Sequence, residues 1–187
     1  MGLLACAPAS PLWLALMASA AVSAWFDWRT GCIPNWVTLG AILLGLAGQA
    51  GLGGLAGGWA GVAAGMLRSA VGAVLTGGVP LWLFHRGAMG GGDVKLLAGT
   101  GALGGTCAGV TVELYAFVLA AAYVALRLGR RGKLLRACRR TLLLLRPARL
   151  PVASRVAAKS SSESEVRFAP FVLAGACLVT SSGAAWI

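Results

Sequence analysis

Acidic residues are scarce in this chain of 187 residues, which has 5 Asp and Glu against 16 Lys and Arg. Histidine is scarcer still, because His85 is the only one. A histidine zinc site and a Ser-His or Cys-His catalytic arrangement are therefore not expected. The five cysteines include no Cys-x-x-Cys pair, so the sequence carries no metal signature and no disulfide framework. We expect no metal and no other cofactor.

Charge of either sign is also sparse. Charged residues make up 11% of the chain and hydrophobic residues 58%, with a mean hydropathy of +0.82, whereas a soluble domain carries roughly 25% charged residues. The length suits one bundle of about six spanning helices of about 20 residues each. The 28 glycines fit close helix packing in lipid. We predict an all-α, polytopic membrane protein with a single domain, 1–187.

The apolar runs predict helices at about 12–28, 36–52, 69–84, 93–106, 110–128 and 169–187. The glycine-rich residues 53–68 are predicted to form an outer loop with an interfacial segment. A basic segment at 129–167 separates the last two helices. We expect it to lie on the cytoplasmic side against anionic lipid, rather than to bind nucleic acid.

The predicted turns fix the sidedness. With six spans, the loops that hold Asp27, Asp93 and the basic segment fall on one side of the membrane. Nearly all Lys and Arg residues lie on that side, and Arg68 stands alone on the other. By the positive-inside rule, the two aspartates face the cytoplasm.

Asp27 and Asp93 lie at the edges of apolar segments, where an ionised carboxylate is costly and suggests a function. Taken singly, each has a structural alternative. Asp93 could N-cap the fourth helix, and Asp27 could pair with Arg29 or Lys95 at the headgroup level. Together they lie at similar depth, at the ends of different helices.

Two carboxyl groups held close together cannot both ionise easily, so one keeps its proton while the other acts as a base. Such a pair can activate water and protonate the leaving group, which is peptide hydrolysis without a covalent intermediate. The glycines before Asp93 would let a substrate backbone approach its carboxylate. A phosphate-binding loop is a poor alternative, because no Gly-Lys-Ser/Thr follows.

At these residues the sequence resembles the type IV prepilin peptidase family of membrane aspartic proteases. The first matching stretch is Asp27-Trp28-Arg29-Thr30-Gly31-Cys32-Ile33-Pro34-Asn35. The second contains the Gly-x-Gly-Asp motif and reads Gly90-Gly91-Gly92-Asp93-Val94-Lys95-Leu96. A weaker third match begins at Phe168-Ala169-Pro170.

The resemblance implies that Asp27 and Asp93 are the catalytic pair, and that Gly90, Gly91, Gly92, Lys95 and Asn35 are candidates for substrate binding. It implies cleavage of a short basic leader from prepilins or pseudopilins at the cytoplasmic face of the bacterial inner membrane. Cleavage of preflagellin or other leaders by the same chemistry is a narrower alternative. The cleaved pilin would then pass to pilus assembly or secretion machinery.

Long family members carry two Cys-x-x-Cys pairs, which are associated with N-methylation of the new pilin terminus. This chain has neither pair, so it resembles the short members that serve tight-adherence (Flp) pili. The alternative from a different class is a non-catalytic transporter or secretion-system scaffold, in which the two carboxylates relay protons or cations.

Overall fold

The computed structural model describes residues 10–130 and 167–182, which are helical apart from short connections. Within these ranges the helices are α1 (Pro11–Thr30), α2 (Asn35–His85), α3 (Gly91–Arg130) and α4 (Ala169–Ser182). Two of them, α2 and α3, are long and apolar enough to cross a membrane. The predicted all-α fold class is confirmed.

Both ends of α1 are set by local sequence. At the start, the Ser10 side chain accepts a hydrogen bond from the Trp13 backbone N–H (3.3 Å), and Pro11 occupies the first turn, where no N–H is needed. At the end, Gly31 adopts φ 68°, and its N–H donates to the Asp27 carbonyl at 3.0 Å. Glycine is the residue that takes this left-handed conformation without strain. The helix therefore extends the predicted 12–28 by one or two residues at each end.

Helix α2 is a hairpin of two arms, 35–56 and 59–85, because Gly57 and Gly58 depart from helical geometry. The arms are antiparallel, since Gly53 contacts Gly61 and Gly65 contacts Gln49 on the opposite arm. The predicted outer loop at 53–68 is therefore wrong. Gly57 and Gly58 form the turn, whereas Gly53, Gly61 and Gly65 stay helical and let two helical backbones touch.

Helix α3 is also divided, at Gly105, which has φ 70°. Gly101 and Gly109, eight residues apart, contact each other, whereas residues that far apart in one straight helix lie about 12 Å apart along its axis. The arms 91–104 and 106–130 are thus antiparallel near the turn. They correspond to two of the predicted helices, with the break at Gly105 rather than at 107–109.

Residues 91–104, called here the inner arm, lie between the two arms of α2. On one side Gly45 contacts Ala102, and on the other Gly72 contacts Gly101. Almost every residue from 96 to 104 is buried. The inner arm runs parallel to the first arm of α2 and antiparallel to the second, because its Gly-rich start lies near Ile33 and its end near Gln49.

Helix α4 packs against α1 and against the second arm of α3. The indole Nε1 of Trp13 donates to Thr180 Oγ1 at 3.0 Å. Gly175 approaches the α3 backbone so closely that an added Cβ would lie 2.9 Å from the Val112 carbonyl oxygen and 3.1 Å from the Ala116 nitrogen. The last residues of the predicted sixth helix, 183–187, lie outside the described residues.

Contacts divide the chain into two units, Met1–Val118 with Arg167–Ile187, and Leu119–Val166. The packing described above belongs to the first unit. The described part of the second is the end of α3. Apart from its terminal residues, the basic segment 129–167 lies outside the described residues, so its expected position at the membrane surface stays a prediction.

Candidate active site

Asp27 lies in the last turn of α1 and is 7% exposed. It continues a buried stripe formed by Leu16, Ala20 and Ser23, which recur at helical spacing on one face of α1. The carboxylate position therefore faces the interior of the bundle, although it lies only three residues from the helix end.

Asp93 is the third residue of α3 and is half-buried. Gly90 directly precedes the helix, and Asp93 lies three positions later, in the first turn. Asp93 is therefore not the N-cap considered from the sequence. A carboxylate in the first turn of a helix is favoured by the partial positive charge there. An added Cβ at Gly90 would lie 3.2 Å from Asp93 Oδ2. The side chain therefore folds back towards the glycines.

The three glycines before Asp93 have different surroundings. Gly90 is exposed beside the Asp93 carboxylate. An added Cβ at Gly91 would lie 3.3 Å from the Phe84 ring, and one at Gly92 would lie 3.3 Å from Ile33 Cβ. Gly91 and Gly92 thus make room for side chains of this protein, while Gly90 leaves the carboxylate open. Substrate binding by these residues stays a prediction.

The two matching stretches of sequence meet at one end of the bundle. Gly92 contacts Ile33, and Lys95 Nζ donates to Asn35 Oδ1 at 2.8 Å. Lys95 and Asn35 were both candidate substrate-binding residues, and the structure joins them to each other across 60 residues of sequence. This bond ties the start of the inner arm to the start of α2.

The register of α1 against the inner arm brings the two aspartates to the same depth. Leu16 contacts Gly104, where an added Cβ would lie 3.2 Å from Leu16 Cδ1. Asp27 follows Leu16 by eleven residues, and Asp93 precedes Gly104 by eleven. Eleven residues rise about 16 Å and turn through roughly three full turns. Gly48 contacts Leu12, so α1 is antiparallel to the first arm of α2 and therefore to the inner arm. Helix geometry thus predicts a similar depth for Asp27 and Asp93.

Cations at this end of the bundle have partners of their own. Lys95 bonds to Asn35, and the Arg29 guanidinium lies 4.7 Å from the centre of the Trp25 ring, so both cations considered for Asp27 have other contacts. Two further arginines stack on indoles, Arg86 on Trp82 (4.9 Å) and Arg167 on Trp28 (5.7 Å). Arginine and tryptophan together are typical of a membrane interface.

Three buried polar residues of α2 were not singled out from the sequence. Gln49, Ser69 and Thr76 each donate a side-chain hydrogen bond to a carbonyl of the inner arm. The available signal was their polarity inside apolar runs, and the seven-residue spacing of Ser69 and Thr76, which puts both on one helix face.

Glu113 of α3 was also passed over. It is buried, and its Oε1 has no hydrogen-bond partner among the described residues. The signal in the sequence was again a polar residue in an apolar run. Glu113 is also the only acidic residue, besides the two aspartates, that lies outside the basic segment. Within 10–130 and 167–182, no three His, Cys, Asp or Glu side chains come close enough to hold a metal ion.

The model of the type IV leader peptidase family matches residues 14–125, which include both aspartates and both stretches that meet at this end of the bundle. The chain belongs to the type IV leader peptidase family. No curated protein and no solved structure matches it. The family consists of aspartic-type prepilin peptidases, so the chain is a hydrolase whose substrates are prepilins. The long apolar helices of this peptidase agree with a membrane location.

Proposed function

We propose that the peptidase removes the short basic leader of type IV, Flp-like prepilins or pseudopilins at the cytoplasmic face of the bacterial inner membrane, with Asp27 and Asp93 as its catalytic pair. The observation that supports the pairing is the register of α1 against the inner arm, from which helix geometry predicts a similar depth for both residues. Family membership favours this enzyme over a transporter or scaffold that relays ions.

In the proposed reaction, one aspartate is ionised and the other protonated. The ionised carboxylate takes a proton from water, and the water oxygen bonds to the scissile carbonyl carbon. The carbon–nitrogen bond then breaks, and the protonated aspartate gives its proton to the leaving amine. The pair ends with one proton, as it began. Because the two carboxyl groups would interact, their two apparent pKa values belong to the pair and not to either residue.

The sidedness of the proposal rests on charge. The end of the bundle with both aspartates also has Lys95 and the arginines that stack on tryptophan, as the positive-inside rule expects of a cytoplasmic face. The six proposed spans are α1, the two arms of α2, the two arms of α3, and α4. The bilayer would surround this single domain.

The exposed residues near the pair are the proposed contacts for the substrate. Gly90 leaves room beside the Asp93 carboxylate, and the bonded pair of Lys95 and Asn35 lies on the exposed rim. The proposed substrates are of the Flp type, and the proposal includes no methylation of the product. The product would pass to pilus assembly or secretion machinery.

The test is leader removal from an Flp-type prepilin by the purified peptidase in lipid nanodiscs, followed by sequencing of the new N-terminus. We expect Asp27→Asn and Asp93→Asn each to lower the cleavage rate by at least about 100-fold, as loss of a general acid or base does. Glu113→Gln is the matched control, since it makes the same acid-to-amide change at another buried position and should still cleave. Undiminished cleavage by both aspartate variants would refute the pair.

A further inference from the structure

The inner arm carries Asp93 at one end and breaks at Gly105 at the other. Because a helix is stiff along its axis, any sliding of this arm moves Asp93 by the same distance relative to Asp27 on α1. Residues that fix the axial position of the arm therefore act on the proposed catalytic pair without touching it.

The closest contacts between the inner arm and α2 are made by small residues. Gly45 and Gly72 of α2 contact Ala102 and Gly101 of the inner arm, so the helices meet backbone to backbone. Small residues bring helices together in membranes, but they offer no large side chains that interlock and resist sliding. Leu96, Leu97 and Leu103 of the arm are buried, and directional contacts to α2 add further resistance to sliding.

Three hydrogen bonds supply those contacts, and they come from both arms of α2. Gln49 Nε2 donates to the Leu103 carbonyl at 3.0 Å, and Ser69 Oγ donates to the Ala102 carbonyl at 3.0 Å. Thr76 Oγ1 lies 2.8 Å from the Leu97 carbonyl oxygen and 2.9 Å from the Gly72 carbonyl oxygen of its own helix, so its single proton is shared between the two. All three donors are buried.

Two of the three acceptor carbonyls lie at the end of the inner arm, which explains why they accept bonds from α2. Carbonyls in the last turn of a helix have no helical N–H to accept from, and the break at Gly105 puts the Ala102 and Leu103 carbonyls in that last turn. The close approach at Gly72 and Gly101 lets the short side chains of Ser69 and Thr76 reach across. The same glycines that remove interlocking side chains thus make these bonds possible.

We propose that Gln49, Ser69 and Thr76 are positioning residues that set the depth of Asp93 relative to Asp27. This inference rests on the proposed catalytic pair. A misplacement of about 1 Å in an active site can lower a rate by roughly 100-fold. The proposed substrate contact Lys95 moves with the arm, but binding tolerates a shift of this size better than the reacting atoms do, so the effect falls mainly on kcat.

The experiment compares Gln49→Leu, Ser69→Ala and Thr76→Val, alone and combined, in the nanodisc cleavage assay. We expect each single variant to lower kcat by about 3- to 10-fold and the triple variant by roughly 100-fold, with KM within about twofold of wild type. Thr76→Ser keeps the hydroxyl and should restore most of the activity lost in Thr76→Val.

Thr111→Val is the matched control, because among the described residues the Thr111 hydroxyl bonds to the Cys107 carbonyl within its own helix. It should cleave at the wild-type rate. The inference is overturned if the triple variant keeps the wild-type kcat, if Thr76→Ser is as slow as Thr76→Val, or if Thr111→Val is equally impaired. Full activity of Asp27→Asn and Asp93→Asn would instead refute the catalytic pair itself, so the two failures are distinguishable.

Discussion

Gly101→Ala tests the close approach of the α2 and α3 backbones most directly. A Cβ at this position would lie 2.6 Å from the Gly72 carbonyl carbon and would also overlap the Gly72 oxygen and Thr76 Oγ1. Carbon atoms attract best at about 3.5–4.0 Å, so the two helices must separate by about 1 Å. The bond from Thr76 to the Leu97 carbonyl, now 2.8 Å, would then exceed the length at which a hydrogen bond is useful.

Two effects on stability oppose each other in this variant. Overpacking of a tight interface costs about 1–3 kcal/mol, while replacing a helical glycine with alanine contributes about 1 kcal/mol in favour of the helix. We expect the free energy of unfolding to fall by at most about 2 kcal/mol. The cleavage rate should fall by 10- to 100-fold, since a shift of roughly 1 Å acts on Asp93.

The assay measures the cleavage rate and the thermal unfolding midpoint of the same nanodisc preparation. Gly78→Ala is the control on α2, because nothing lies within 4 Å of the position where its Cβ would stand. It should keep full activity and the wild-type midpoint or a higher one. A wild-type cleavage rate for Gly101→Ala would refute this reasoning, because it would mean that the two helices accept a Cβ at this position without moving apart.

Two further predictions concern the α2 turn and the rim of the site. Gly58→Ala should lower the unfolding midpoint, because φ 58° with ψ −143° is a conformation that costs a non-glycine residue about 1–3 kcal/mol. Gly57→Ala, at φ −152° in open space, should be nearly neutral. Equal midpoints of the two variants would contradict this. Lys95→Met and Asn35→Leu should lower kcat/KM equally, because each removes the same hydrogen bond between the two side chains. The double variant should lower kcat/KM no further. Additive losses would show that the two residues act separately.

Much of the fold follows from the sequence because its signals are local. The apolar run of α1 ends just before Gly31 and Pro34. The connection between α2 and α3 falls at residues 86–90, where the glycine run begins. The two stretches that match the family are also local, which is why the aspartates could be proposed from sequence alone.

The turn of α2 was not predictable in the same way. Composition makes residues 53–68 look like a loop, because glycine is the usual residue of turns. In the structure, most of these glycines lie inside helices, where Gly53 faces Gly61 and Gly65 faces Gln49. A single sequence cannot tell a glycine that bends the chain from one that admits a neighbouring backbone, since only the fold supplies that neighbour.

The contacts around the inner arm were hidden for a related reason. The bond from Gln49 to Leu103 joins residues 54 positions apart, and the bond from Lys95 to Asn35 joins residues 60 apart. Sequence separations of this size leave no periodic trace. From sequence, Lys95 and Asn35 could be expected near the substrate, but not bonded to each other.

The order of helices along the chain has a consequence for biosynthesis. Both arms of α2 leave the ribosome before the inner arm, and they already carry the side chains that bond to its carbonyls. The carbonyls at the end of a helix are costly to expose in lipid. When the inner arm follows, the α2 side chains that bond to its carbonyls are already present. Synthesis therefore supplies the α2 hairpin before the inner arm and Asp93.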